Sequence, residues 1–239
     1  MAINMIDNSS KLNEILKIAK EMGDQNLRML VVFDLDSTLF NVSTRTQKIL
    51  QEFAELHDLD NLKNVEILIS DWGVKEAVLR SGYHHETHTE ILGKLKDFWF
   101  ERFFSNSYLH YDVPYAGAIE FVQSLADAKV DIMYLTGRDQ YRMGKGTKEV
   151  LLKWGFPLEE RYLFLKPNKS MDDELYKRDW FLKLDRMIYK KIYLFENEPV
   201  NVNAILEHCP DVEVIFLDTT HARKQTVTAP IARIKNFRR

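Results

Sequence analysis

From residue 29 onward the apolar residues gather into short runs, and most of the runs end in polar residues with turn chemistry. Residues 31–39 read V-V-F-D-L-D-S-T-L, an apolar strand that runs out into acids at alternate positions and then into a Ser-Thr turn. The runs at 130–135, 162–165, 191–195 and 212–217 have the same continuous character, which strands show when both faces are covered. Between them the period changes to that of a helix, over 115–128, 147–154, the segment after Asp172, and 200–208. Alternating strands and helices predict an α/β fold, a central parallel sheet flanked by helices. A further helix over 10–20, capped by Ser9 or Ser10 and ended by Gly23, is expected at the sheet edge or as a dimer contact.

The alternation stops after residue 40 and resumes after 111. Helical periodicity fills the gap over 44–57, 72–80 and 88–104, with breaks at 58–64 and at Ser81-Gly82. This predicts a helical unit over 41–111 inserted into a core domain made of 1–40 and 112–239. Phe98, Trp99, Phe100, Phe103 and Phe104 cover more than one face of the last helix, as a buried seam between insertion and core requires.

Composition adds mostly exclusions. With 45% hydrophobic and 29% charged residues in 239, the chain is of ordinary globular type, and a net charge of -3 argues for no particular partner. No apolar run approaches the roughly twenty residues of a membrane span, and residues 1–10 lack the basic and apolar stretches of a secretory signal. Cys209 is the single cysteine, so it has no partner for an internal disulfide and reads as a buried, inert thiol. A cytoplasmic location is the expectation. Residues 221–239 are basic and read as a solvated or loosely docked tail.

The chemistry lies at the strand ends. Side chains alternate along a strand, so Asp34 and Asp36 share a face at the carboxyl end of the first one, where open α/β sheets place their ligands. Two carboxylates held so close require a cation or a proton between them. Downstream come Thr136-Gly137-Arg138 at the end of the second strand and Lys177 early in the helix after Asp172. The acidic group Glu196-Asn197-Glu198 closes the fourth strand. In this order the four motifs resemble those of the haloacid-dehalogenase-like (HAD) superfamily, and they span about residue 29 to residue 200.

That resemblance implies a Rossmann-like HAD core with strand order 5-4-1-2-3 and a C1-type helical cap over 41–111. The implied activity is magnesium-dependent hydrolysis of a small phosphorylated metabolite or nucleotide. Asp34 would be the nucleophile, forming an aspartyl-phosphate, and Asp36 would protonate the leaving oxygen and then activate water. Thr136 and Gly137 would bind phosphoryl oxygens, and Lys177 would bridge Asp34 and the phosphate, with Lys166 or Lys169 as alternatives. Magnesium would be held by Asp34, Asp36 (through its main-chain carbonyl) and Glu196.

The fourth motif departs from the family, which usually has an aspartate pair or Gly-Asp there. Asn197 offers only a neutral amide, and Glu198 is expected to cap the helix that Pro199 opens. Two other functions stay open. A scaffold that binds phosphorylated ligands with little turnover would explain the altered motif. A nucleic-acid 3′-end phosphatase would use the basic tail, and the lysine-to-acid spacing resembles that of polynucleotide phosphatase domains. His84, His85 and His88 lack a further zinc ligand, and Gly144-Lys145-Gly146 reads as the opening of a helix rather than as a phosphate loop.

Overall fold

All the strands expected from the apolar runs form, and they share one sheet. The computed structural model describes residues 8–69, 71 and 73–239. In chain order the strands are β1 (Met29–Phe33), β2 (Phe40–Asn41), β3 (Val113–Pro114), β4 (Asp131–Asp139), β5 (Leu163–Lys166), β6 (Lys191–Glu196), β7 (Val212–Leu217) and β8 (Ala232–Ile234). The main sheet runs β5-β4-β1-β6-β7-β8, with every pair parallel. Its first five members reproduce the order expected for the family, read from the opposite edge. The sixth, β8, is additional.

β8 corrects the expectation of a loose tail. It pairs with β7 through residues 215–217 and 232–234, and Phe237 beyond it is fully buried. Phe237 packs with Phe33, Phe121 and Phe195, with ring centroids 5.6 to 6.3 Å apart. One aromatic residue among the basic ones thus anchors the segment, because burying a whole ring outweighs the pull of the charges toward solvent.

Helices cover both faces. α1 (Asn8–Asp24) packs against the edge strand β8, as expected, and buries Leu12, Ile15 and Ala19 in the core shared with Phe33 and Phe121. Between β2 and β3 lie α2 (Ser43–Leu56), α3 (Asp60–Lys63), α4 (Val74–Arg80) and α5 (His85–Phe103). They have an apolar cluster of their own, built on Leu50, Phe53, Ala77, Val78 and Leu95. Trp72, expected in α4, lies outside the described residues. After β3 come α6 (Ala118–Asp127), α7 (Gln140–Lys153), α8 (Asp173–Lys183) and α9 (Pro199–His208).

α7 starts well before the expected residue 147, because the Asp139 side chain caps it by accepting from the Arg142 amide at 2.9 Å. Gly144-Lys145-Gly146 is therefore helix interior, not a helix opening. The aromatic seam divides: Phe98 joins the cluster of the insertion, whereas Phe100 is exposed. Cys209 is buried at the end of α9. Among the described residues no helix is long and apolar enough to cross a membrane.

Candidate active site

Strand register brings the site together. Phe33 pairs with Phe195 across β1 and β6, so the residues that follow, Asp34 and Glu196, leave the sheet side by side. The last ladder bond, from the Asp34 amide to the Phe195 carbonyl at 3.0 Å, pins the first aspartate there. α8 is capped by Asp172, whose carboxylate accepts from the Leu175 amide at 3.2 Å. Its first turns bring Lys177 over the rim.

The Lys177 ammonium sits between the two acids, 2.6 Å from Asp34 Oδ1 and 2.6 Å from Glu196 Oε2. Burial alone would lower the lysine's pKa, but the flanking carboxylates outweigh it and hold the pKa well above its ordinary value. Asp34 is shifted upward, to about 7, chiefly by burial; Lys177 opposes this while Glu196 and Asp36 add to it. Lys166 is engaged elsewhere, by the Met171 carbonyl and the Asp173 carboxylate, and Lys169 is exposed. Of the candidate lysines, Lys177 is the one that touches Asp34.

Glu196 makes four contacts. Oε1 accepts from the amides of Asn197 and Glu198, at 3.0 and 2.9 Å, and Oε2 accepts from Lys177 and from Asn201 Nδ2 at 3.2 Å. Asn197 is a loop tie, accepting from Thr38 and donating to the Thr220 carbonyl. Glu198 does not cap α9 as expected; its Oε2 accepts from the Ala222 amide at 2.9 Å. Its Oε1 is buried with no hydrogen-bond partner.

The donor chemistry suits a hard divalent cation. Asp34, Glu196 and Glu198 face one ammonium, which leaves excess negative charge, and Glu198 has an unmet buried acceptor. Among the described residues no three acidic, His or Cys side chains are already gathered as a metal site.

Asp36 has other company. Its Oδ1 accepts from Arg45 Nη2 at 3.0 Å, from Arg138 Nη2 at 2.5 Å and from Arg138 Nε at 3.1 Å. Arg138 also reaches Asp112 Oδ2 at 2.6 Å. Arg45 Nε lies 3.0 Å from Asp112 Oδ1, but no hydrogen bond forms there, so that pair attracts only as charges. Arg45, Asp112 and Arg138 are buried, and together with Asp36 they form a compact group of two cations and two anions. Burial would raise the Asp36 pKa, but the arginines outweigh it and hold the carboxyl at about 2. At neutral pH Asp36 is therefore a carboxylate with no proton to give. This bears directly on its expected role as an acid. In a titration followed by carboxyl 13C NMR, its resonance should stay ionised down to about pH 3 and move only below it. Protonation near pH 5 would show that the arginines do not hold it.

Thr136 is buried, with its hydroxyl oxygen 3.2 Å from the Arg138 amide that donates to it. A Cβ added at Gly137 would run into the Asp173 carboxylate, so a larger residue there would displace that side chain. Ser37 holds a left-handed backbone (φ 59°) in the turn after Asp36. Ser37→Gly should therefore raise stability by about 1 kcal/mol, read as a higher urea midpoint. A lower midpoint would mean the turn carries no strain.

Arg45, Asp112 and Arg138 were not singled out as functional from sequence. The available signal was position: Arg138 follows Thr136-Gly137, Arg45 opens the first inserted helix, and Asp112 follows the insertion. The rim opens into a cavity of about 680 Å³ between the sheet and the inserted helices, with Asp34, Thr136, Lys177 and Glu198 on its sheet side.

No protein-family model matches the sequence, and no curated protein matches it. Solved structures match the fold. A haloacid dehalogenase-like hydrolase of Burkholderia xenovorans LB400 aligns with TM-score 0.53 and 13% identity over 88% of this chain and 94% of its own. Protein tyrosine kinase A (PtkA) of Mycobacterium tuberculosis aligns with TM-score 0.51 and 13% identity, over 85% and 92%. CbbY of Rhodobacter sphaeroides, in complex with xylulose-(1,5)bisphosphate, gives 0.50 and 12%, over 87% and 94%. The chain has the haloacid-dehalogenase-like fold.

Proposed function

We propose that this chain is a phosphomonoester hydrolase that works through an aspartyl-phosphate on Asp34. One observation carries the reading: Asp34 is buried at the sheet rim with a single ammonium, Lys177, shared between it and Glu196. Buried acid beside a fixed cation suits attack on a phosphoryl group, whose developing charge needs a positive partner that does not have to reorganise. Thr136 and the Gly137 amide would hold phosphoryl oxygens beside it.

Asp36, ionised and clamped by the two arginines, would be a weak base; its proposed part is to accept a hydrogen bond from, and so orient, the water that cleaves the intermediate. The helical insertion over 41–111 would act as a cap of C1 type, excluding water from the rim. Magnesium is the proposed cofactor, held by Asp34, the Asp36 main chain and the acidic group at 196–198, within which Glu198 has the unmet acceptor. When bound it would screen the phosphate's charge and favour the ionised form of Asp34. A cytoplasmic location is part of the proposal, supported by the buried free thiol of Cys209.

A second reading has a specific observation behind it. Glu196 has all its oxygens engaged and Asp36 is pinned by two arginines, an arrangement that also suits a phospho-ligand binder with little turnover. Hydrolysis of p-nitrophenyl phosphate with added magnesium, measured against Asp34→Asn, separates the two. Rates equal to those of the variant across several divalent metals would leave only the binder.

A further inference from the structure

The cavity at the rim has two chemically different walls. The sheet wall carries the acids and Lys177 described above. The opposite wall, from the inserted helices, presents Ile67, Leu79, Leu92, Trp99, Phe103 and Phe104. All six are half-buried, as side chains facing an internal space should be. Trp99 and Phe103 stack at 4.6 Å, and Phe104 meets Phe103 edge-on at 5.0 Å, giving a continuous aromatic surface. Val78 and Leu95 complete the wall, and Phe53, fully buried in the same apolar cluster, packs behind it.

We infer that the ligand is a phosphomonoester whose organic group is bulky and apolar (alkyl, prenyl or aryl), seated against this wall. The inference rests on the Asp34–Lys177 end being the phosphate site. At about 680 Å³ the space is far larger than a phosphate needs and falls in the range of small-molecule sites.

Two polar groups on the cap side are already committed to other contacts. Both oxygens of Asp71 are engaged by Arg80 at 2.6 Å, and one also by the Leu68 amide. Thr46 faces the Trp99 indole N–H at 3.4 Å. Lys75 and Lys96 are exposed. Ser43, Lys75, Glu76, Tyr83 and Lys96 also line the cavity, but hydroxyls set against the six apolar side chains of the wall would lose their water partners there, whereas an apolar group would not.

The test is calorimetric titration of the whole chain with ethyl-, butyl-, hexyl- and octylphosphonate, whose C–P bonds resist hydrolysis. Kd should fall roughly tenfold for every two methylenes, until the space is filled. Leu79→Asn should flatten the series while leaving the Kd for ethylphosphonate unchanged. Phe104→Ala serves if that variant does not fold. Equal Kd values across the series, no binding of any member, or tighter binding of ribose 5-phosphate than of hexylphosphonate would each overturn the inference. Hydrolysis of p-nitrophenyl phosphate is scored separately. A climbing series without hydrolysis removes the catalytic reading and keeps this one; hydrolysis with a flat series does the reverse.

Discussion

Asp34→Asn is expected to cut phosphate-ester hydrolysis by about a thousandfold or more, while leaving the chain as stable as before or slightly more stable. The substitution keeps the shape of the side chain and an oxygen for the Lys177 ammonium, which still has Glu196 at 2.6 Å. What it removes is the nucleophilic carboxylate. Burial already disfavours the ionised form of Asp34, shifting its pKa up to about 7, so a neutral amide suits the folded state well. Function and stability should therefore part company, as they do where a site is held in an unfavourable state for its chemistry. Initial rates on p-nitrophenyl phosphate and a urea melt on the same preparation read both. An active variant would remove Asp34 from the chemistry, and a variant that loses activity only because it unfolds would leave its role unproven by this route.

The second large effect lies in the charge group beneath the insertion. Arg138→Met is expected to lower unfolding free energy by about 3–5 kcal/mol, a large part of the total for a domain of ordinary stability. Arg138 is the one residue that bonds both anions, Asp36 at 2.5 Å and Asp112 at 2.6 Å. Without it Asp112 is left buried beside Arg45 with no hydrogen bond formed between them. The penalty comes mostly from that stranded charge, so removing the charge as well should recover much of it. In the double variant Asp112→Asn with Arg138→Met, the combined loss should be well below the sum of the two single losses. Chemical denaturation of the four proteins of this cycle measures the coupling. Additive losses would show that the charges do not depend on one another.

The same group links sheet to insertion. Arg45 belongs to α2, Asp112 to the returning segment, and Asp36 and Arg138 to the sheet rim. Breaking it should therefore disturb the seating of the helices over the cavity as well as the global stability.

Much of this was legible along the chain. Continuous apolar runs separated by helical periods called for a parallel sheet covered on both faces, and that sheet formed. β1 ends at Phe33, so Asp34 and Asp36 follow it in a turn and their placement does not rest on strand alternation, whereas the loss of strand–helix alternation after residue 40 marked the helical insertion. These are local properties, set by side-chain direction and by burial within a few residues. Small local signals were misread where a single contact decided the outcome. The Asp139 cap started α7 early, and the burial of Phe237 drew a basic segment into the core.

What tertiary structure alone decided was which charges meet. Asp36 and Arg138 are 102 positions apart, and Lys177 and Asp34 are 143 apart. No period in the sequence connects them. Strand register sets Asp34 beside Glu196, and helix placement sends Lys177 rather than Lys166 between them. Packing of Arg138 from β4 and Arg45 from α2 against Asp36 holds that carboxyl ionised. The residue types and their order were enough for the fold, because burial acts on short segments. The protonation states and the apolar chamber depend on distances of a few ångströms across the molecule, and those exist only once the chain has packed.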